Sequence, residues 1–352
     1  MNRRRSPRDS FHVVWVGDVL LGSSAWPHLK ARGYQWAFRY LRPLVRGDYL
    51  VGNAEGPITT HREKFFPEQR FSYRARIATA SALSEAGFNA VSLSNNHCYD
   101  RGPEGLLDCI DRLTAAGVTP FGAGPEAEAA RPLLIDTPHG LVGVVGLVDQ
   151  RYSHTIASAT APGTIAMSEN SIARCKALAV AAGARWVIAY VHWGRNYEPV
   201  TAQQRHDAEL LARAGYDLVI GAGSHTVQPV EIIDGTPVLY SLGNFTFGTK
   251  GRFTEMEPGY GLIARLTLAA NGLLEVELTC IATDNRVIHF QPRLCSDDQA
   301  QEVLARLGPD VLIRRSGPLT SWSARMLRRR PVVGHISLAR DAPVPHGALD
   351  LT

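Results

Sequence analysis

Five short apolar runs in this sequence lead into residues that can hold a metal ion or move a proton. Phe11–Val16 leads into Gly17-Asp18, Tyr49–Asn53 into Ala54-Glu55, and Ala90–Leu93 into Ser94-Asn95-Asn96-His97. Trp186–Val191 leads into His192-Trp193-Gly194, and Leu218–Gly221 leads on to His225. Taken alone, an Asp after a strand is more often a cap or turn former, because its carboxylate accepts nearby backbone N–H groups. A lone His beside an apolar strand is likewise more often structural. Five such positions are harder to assign to caps, since ligands of α/β sheets collect at the C-terminal ends of strands. The residue types suit a divalent cation with mixed oxygen and nitrogen ligands, as in Mn, Fe or Zn sites, rather than a Cys-rich structural zinc. Carboxylates neutralise the cation, imidazoles add affinity, and an Asn carbonyl ligates without adding charge. A cation held this way brings the pKa of its water to about 7, which supplies hydroxide near neutral pH.

The elements that must position these residues read as an α/β fold. Runs rich in Val and Ile alternate with longer amphipathic stretches, the rhythm of βαβ units. Further strands are expected at Leu133–Asp136, Leu141–Val148, Val230–Ile233 and Val238–Leu242. Helices are expected at Ala78–Ala86, Gly102–Ala116, Ser168–Ala182 and Ala202–Ala214, with Leu106, Leu107, Ile110 and Leu113 along one face of the second. Asp234-Gly235 is a hairpin turn between two apolar runs, and Asn271-Gly272 another between Gly261–Leu268 and Leu273–Ala282. Beyond about Gln291 the pattern weakens to a short helix at Asp297–Leu307 and a Pro- and Arg-bearing tail with no assigned structure. No internal repeat and no sharp linker divides the chain.

The segments Gly17-Asp18-Val19-Leu20-Leu21-Gly22, Asn53-Ala54-Glu55-Gly56-Pro57-Ile58-Thr59 and Asn95-Asn96-His97 resemble motifs of the CapA family. This is the capsule and poly-γ-glutamate synthesis group of the calcineurin-like metallophosphoesterase superfamily. His192-Trp193-Gly194 and Tyr240-Ser241-Leu242-Gly243-Asn244-Phe245 are similar to its later motifs, in the family's order, over about Val13 to Gly248. The resemblance implies a layered metallophosphoesterase-like β-sandwich flanked by helices over residues 11–290, with a C-terminal extension over 291–352. It implies that Asp18 and His225 hold one metal, that Asn96 and His192 hold a second, and that Glu55 bridges them. It makes His97 the general acid and Asp100, in the Asn-His-x-x-Asp pattern, its orienting partner. The alternative for Asp100 is to start the turn at Arg101-Gly102. Asn53, Trp193 and Asn244 are expected to face substrate. Read on their own, Trp186 and Trp193 suit strand packing better than stacking, and Gly243-Asn244 suits a turn.

The chain departs from the pattern in three places. Leu20 stands where the superfamily usually has a His, as is common in this family. Gly223 replaces the first His of the Gly-x-His-Pro-His motif, and Asn196 stands at the family's Glu, with Glu198 two residues on. Each metal keeps about three protein ligands, a number that still supports catalysis, so the expected cofactor is one or two divalent ions. The function implied is metal-dependent hydrolysis of a phosphoester, or action on an intermediate of poly-γ-glutamate or capsule-type polymer synthesis. The alternative is a non-catalytic binding or scaffold protein with a depleted metal site, against which the retained Asn96-His97 pair counts.

Composition narrows the classes further. The 352 residues are 45% hydrophobic and 20% charged, with a formal net charge of +4. That is ordinary for a soluble globular chain and shows no surplus of positive charge for nucleic acid. Arg3-Arg4-Arg5 and Arg328-Arg329-Arg330 read as solvated ends, with an anionic polymer or acidic lipid as the other use. No Gly-Lys-Ser/Thr follows Gly22-Ser23-Ser24 and no Gly-x-Ser-x-Gly occurs, which argues against a P-loop and a serine-hydrolase elbow. Cys98, Cys109, Cys175, Cys280 and Cys295 are odd in number, widely spaced and without CxxC, suggesting neither a zinc ribbon nor a disulfide framework. A reducing compartment fits that pattern. With no apolar run long enough to span a bilayer and no h-region after the N-terminal arginines, the expected location is cytoplasmic. The expected partner is a small-molecule or anionic polymer substrate, with no nucleic acid and no membrane span.

Overall fold

The computed structural model describes residues 10–316 and 330–338. Two sheets face each other, and helices cover their outer faces. In the first sheet, β1 (Phe11–Leu20), β2 (Tyr49–Ala54), β3 (Ala90–Ser92) and β4 (Thr119–Phe121) lie side by side in parallel. On the other side of β1 the sheet continues through β14 (Tyr260–Ala269), β15 (Gly272–Ala282), β18 (Val332–Ser337) and β17 (Leu312–Arg315), all antiparallel. β13 (Asn244–Phe247) pairs with the end of β1, and β16 (Arg293–Leu294) pairs with β15. The second sheet has the order β11 (Val227–Ile233), β12 (Thr236–Leu242), β10 (Leu218–Ala222), β9 (Ala184–His192), β7 (Leu141–Val148) and β6 (Leu133–Ile135). Its four central strands are parallel. β5 (Ala123–Gly124) and β8 (Gly163–Thr164) form a small separate ribbon.

β1 shows why the layers form. It is buried on both faces, as strands between two apolar layers must be. Its alternating side chains divide between two cores. Val14 and Val16 pack with α1 (Trp26–Arg32), α2 (Gln35–Phe38), α3 (Ala78–Ala86) and α4 (Gly102–Ala115) through Leu29, Phe38, Leu83 and Leu106. Val13 and Trp15 point the other way, into the core between the sheets with Ile188, Tyr190, Ile220 and Leu239. The Trp15 and Tyr190 rings lie 5.5 Å apart, and the Tyr190 hydroxyl donates to the Val16 carbonyl at 2.5 Å, so the sheets are fastened just below the site. The outer face of the second sheet is closed by α5 (Glu126–Ala129), α6 (Glu169–Ala181) and α7 (Ala202–Arg213). α8 (Asn285–Ile288) follows β15, and α9 (Asp297–Ala305) adds Ala300, Val303 and Leu304 to the inter-sheet core. The layered α/β sandwich with flanking helices expected from the sequence is the fold observed.

The differences are local. β1 does not stop at Val16 but runs to Leu20, changing partner from β14 to β13 with shifts of register around Asp18. Gly17 permits this: a Cβ there would lie 1.8 Å from the Gly243 carbonyl oxygen, which instead accepts from the Asp18 N–H at 3.1 Å. Both hairpins form, with Ile233 opposite Thr236 and Ala269 opposite Gly272. After Gln291, where the pattern is weak, the chain supplies β16, α9, β17 and β18. Arg3, Arg4, Arg5, Arg328 and Arg329 lie outside the described residues.

The cysteine reading is corrected. Cys280 of β15 and Cys295 just after β16 form a disulfide with Cα atoms 5.5 Å apart, while Cys98, Cys109 and Cys175 are free and buried. Sequence spacing could not show that antiparallel pairing of β15 and β16 brings these two together. Because disulfides persist in oxidising surroundings, the cysteines give no support to a reducing compartment. Among the described residues, no helix is long and apolar enough to cross a membrane. Thiol titration of denatured, unreduced protein should count three free thiols of the five. A count of five would remove the disulfide.

Candidate metal centre

The C-terminal ends of strands from both sheets meet at one buried polar cluster. Asp18 lies near the end of β1, Glu55 follows β2, His97 follows β3, His192 ends β9 and His225 follows β10. Asp18 and Glu55 are 0% and 1% exposed, which makes these carboxylates far costlier to bury than a cap at the surface. Asp18, Glu55 and His225 each offer one ligand atom, and the three atoms lie within 4.8 Å of one another. Both Glu55 oxygens and the Asn96 Oδ1 are buried without a hydrogen-bond partner. Native interiors rarely leave such acceptors unsatisfied without a reason. A divalent cation would supply one, since all three are hard oxygen donors beside an imidazole. The donor set therefore fits the group.

Orientation is fixed by the backbone. The Asn95 Nδ2 donates to the Ala54 carbonyl at 3.0 Å, and the Asn95 Oδ1 accepts from the His97 N–H at 3.1 Å. Asn95 Nδ2 also donates to the Asn53 Oδ1 at 3.1 Å. This turns the Asn53 Nδ2 toward Asp18 Oδ1 at 2.8 Å and His192 Nδ1 at 3.1 Å. An amide NH2 only donates, so His192 Nδ1 is an acceptor. His192 is thus a neutral imidazole beside the three-residue cluster. Burial is the main cause that pulls its pKa down to about 3, with the nearby charge of His225 adding and Asp18 opposing.

His225 is held differently. Its Nδ1 lies 3.0 Å from Asp18 Oδ2 and 3.1 Å from Asn244 Oδ1, leaving Nε2 toward Glu55 Oε1 at 3.6 Å. A carboxylate on one ring nitrogen orients the other as a ligand. Burial alone would lower the His225 pKa, but Glu55, Asp18 and Asn244 outweigh it and raise it to about 9. Burial pushes Asp18 up, and the His225 bond and charge more than reverse this, so Asp18 sits below its ordinary value. Glu55 stays well above its ordinary value, through burial first and then the charges of Asp18 and Asp100, against His225. Across the site, His97 Nδ1 meets Asp100 Oδ2 at 2.8 Å, and its Nε2 lies 3.8 Å from Glu55 Oε1. Asp100 also accepts from the Tyr73 N–H and from Gln69 Nε2. Its carboxylate holds His97 and makes no cap bond to α4.

The sequence model described as bacterial capsule synthesis protein PGA_cap matches residues 12–249. The chain belongs to this family. It is 28% identical to the capsule biosynthesis protein CapA of Bacillus anthracis over 243 residues, covering 67% of this chain and 59% of that protein. It is 26% identical to the PGA biosynthesis protein CapA of Bacillus subtilis over 247 residues, covering 68% and 64%. The match thus spans about three-fifths of the length of these relatives. Looser structural likenesses include the calcineurin-like phosphoesterase YfkN of Bacillus subtilis (13% identity, TM-score 0.41, 82% of this chain and 89% of that one). Another is the NAD nucleotidase of Haemophilus influenzae (11% identity, TM-score 0.42, 85% and 62%). These are too loose to add to the assignment.

The three residues expected to face substrate all make contacts within the protein. Asn53 uses its amide on Asp18, His192 and Asn95, and Asn244 sits on His225. Trp193 is enclosed in the helix-side core, stacked on Tyr240 at 5.7 Å with its Nε1 donating to the Tyr240 carbonyl at 2.7 Å. Aromatic residues not anticipated from the sequence ring the site instead. Tyr73 lies 4.2 Å from His97, Phe247 4.6 Å and Tyr197 5.5 Å from His225, and Tyr152 5.9 Å from His192. Single aromatics scattered over separate segments give no signal that could have found them. The family's missing histidine also gains an explanation. Gly223 has φ 103°, and a Cβ there would meet His192 Nε2 at 2.7 Å, so the His192 ring occupies the space. Its N–H points to Asp18 Oδ2 at 3.3 Å.

Asp18→Ala and His225→Ala should each lower manganese affinity by at least about a hundredfold, while Asn53→Ala, which removes only support, should cost about 10–100-fold. Elemental analysis after dialysis reads this, and full metal retention in Asp18→Ala would remove the centre. Gly223→His should lower both melting temperature and metal content rather than add a ligand. Metal must displace the His225 proton, so affinity should climb as pH rises to about 9. Stability of the metal-free protein should run the other way. The His225 contribution is full below its ordinary value of 6.5 and lost as pH rises through about 9. Calorimetric titration and melting curves against pH measure the two trends.

Proposed function

We propose that this chain is a metal-dependent hydrolase acting on a phosphoester, or on an intermediate of capsule-type polymer synthesis, with His97 as general acid. The observation that carries this reading is the His97–Asp100 pair facing Glu55. Asp100 Oδ2 accepts a hydrogen bond from His97 Nδ1 at 2.8 Å, and this leaves Nε2 directed into the cluster. A protein that only bound a ligand would need no imidazole aligned by a buried carboxylate, the arrangement that general acids use. Asp18, Glu55 and His225 would hold the cation, with the Asn96 oxygen and His192 beside them. When bound, the cation would supply Lewis acidity and neutralise charge gathering at the reacting centre.

The chain's own residues perform the remaining tasks. Water's oxygen forms a bond to phosphorus and releases one proton to solvent, the bond from phosphorus to the leaving oxygen breaks, and that oxygen takes the proton from His97 Nε2, which solvent then restores. Asp100 stabilises the positive imidazole before transfer and keeps its ring aimed. Tyr73, packed on His97, restricts its rotation and excludes water from one face. The relatives named as capsule and PGA biosynthesis proteins support a place in polymer handling. A second reading, a scaffold with a lean metal site, is favoured by Gly223 in place of a ligand.

Manganese-loaded protein should hydrolyse a generic phosphodiester. His97→Ala should keep its metal and lose about 10²–10⁴-fold in kcat, the usual worth of a positioned general acid. Full activity in that variant would refute the role of His97. A metal-loaded wild type that turns over neither phosphoesters nor poly-γ-glutamate would favour the scaffold.

A further inference from the structure

Tyr197 belongs to two places at once. Its ring packs 5.5 Å from His225, and it also lines a cavity of about 370 Å³. That volume is within the range of small-molecule sites. Tyr197 is held at φ 63°, a left-handed conformation rare for a bulky residue, and its N–H donates to the Ser224 carbonyl at 2.7 Å. Strained backbone of this kind collects at functional sites. Phe253 meets the Tyr197 ring edge-on at 5.3 Å, and the Arg252 guanidinium lies 5.7 Å over it. Tyr73, which packs on His97, meets Phe247 at 5.8 Å, and Phe247 and Tyr197 both pack on His225, so aromatic contacts run from His97 to the cavity wall.

The character of the cavity follows from its walls. Phe253, Tyr260, Val303 and Leu307 form much of its lining. All follow Thr249 and lie outside the stretch matched to the family model. The lining holds two cations, Arg252 and Arg306, and two carboxylates, Glu198 and Glu257. With charges equal in number over an apolar floor, the cavity suits an uncharged group better than an anion.

We propose that this cavity is the leaving-group subsite of the centre and takes an uncharged apolar or aromatic group attached to the scissile ester. The proposal rests on the hydrolase reading. The ester oxygen then lies between the metal cluster and His97, and the attached group extends past Tyr197 toward α9. Specificity for that group resides in Phe253 and Val303 rather than in the metal ligands.

The test uses manganese-loaded full chain and two non-hydrolysable probes, phenylphosphonate and methylphosphonate, compared by calorimetry where both are dianions. Phenylphosphonate should bind roughly tenfold or more tightly, the effect of moving a ring out of water. Phe253→Ala and Val303→Asn should keep wild-type metal content and bring that ratio close to one. Equal binding of the two probes by wild type, or an unchanged ratio in both variants, overturns the subsite and leaves the hydrolase reading standing. Discrimination that responds to the variants, in a protein without turnover, keeps the subsite and sinks the hydrolase. Binding of neither probe overturns both.

Discussion

The structure turns on one buried carboxylate. Glu55 sits between His97, His225 and Asp18 with neither oxygen hydrogen-bonded, in an interior where an unsatisfied carboxylate is among the most expensive groups to keep. Without a cation, the protein balances this charge cluster by keeping a proton on His225 and raising the pKa of Glu55. With a cation, the same atoms become ligands. The fold must hold these groups close against their mutual repulsion, and much of the surrounding architecture serves that end.

Two kinds of support do this. The first is covalent spacing and strand geometry: Gly17 lets β1 reach the Gly243 carbonyl, the register shifts there, and Asp18 is turned toward His225. The second is the chain of amides from Asn95 through Asn53, anchored on the Ala54 carbonyl and the His97 N–H. Because both anchors are backbone atoms, the direction of every donor along the chain is settled. Networks of this sort are stable only when fully satisfied, and here each Asn53 amide hydrogen has its acceptor. Residues of this kind set the tautomer of His192 and the aim of Asp18.

The lean ligand set is a matter of space as well as sequence. At Gly223 the backbone has taken a left-handed path, and the His192 ring fills the place of a side chain. The aromatic ring of Tyr73, Tyr152, Tyr197 and Phe247 narrows access from the other side. Tyr197 then joins the centre to a cavity walled in part by the segment after Thr249.

The sequence by itself determined the layered fold, the hairpins at Asp234-Gly235 and Asn271-Gly272, and the positions of Asp18, Glu55, His97, His192 and His225 at strand ends. These were legible because apolar runs have a period, and a polar residue closing such a run stands out. It did not determine which of these residues touch. Whether Asn53 and Asn244 meet substrate or a histidine depends on strands from two sheets converging, with partners 139 residues away for Asn53. Nor could spacing reveal the Cys280–Cys295 bond or the strands after Gln291. Contacts between sequence-distant segments decide these, and local pattern carries no record of them.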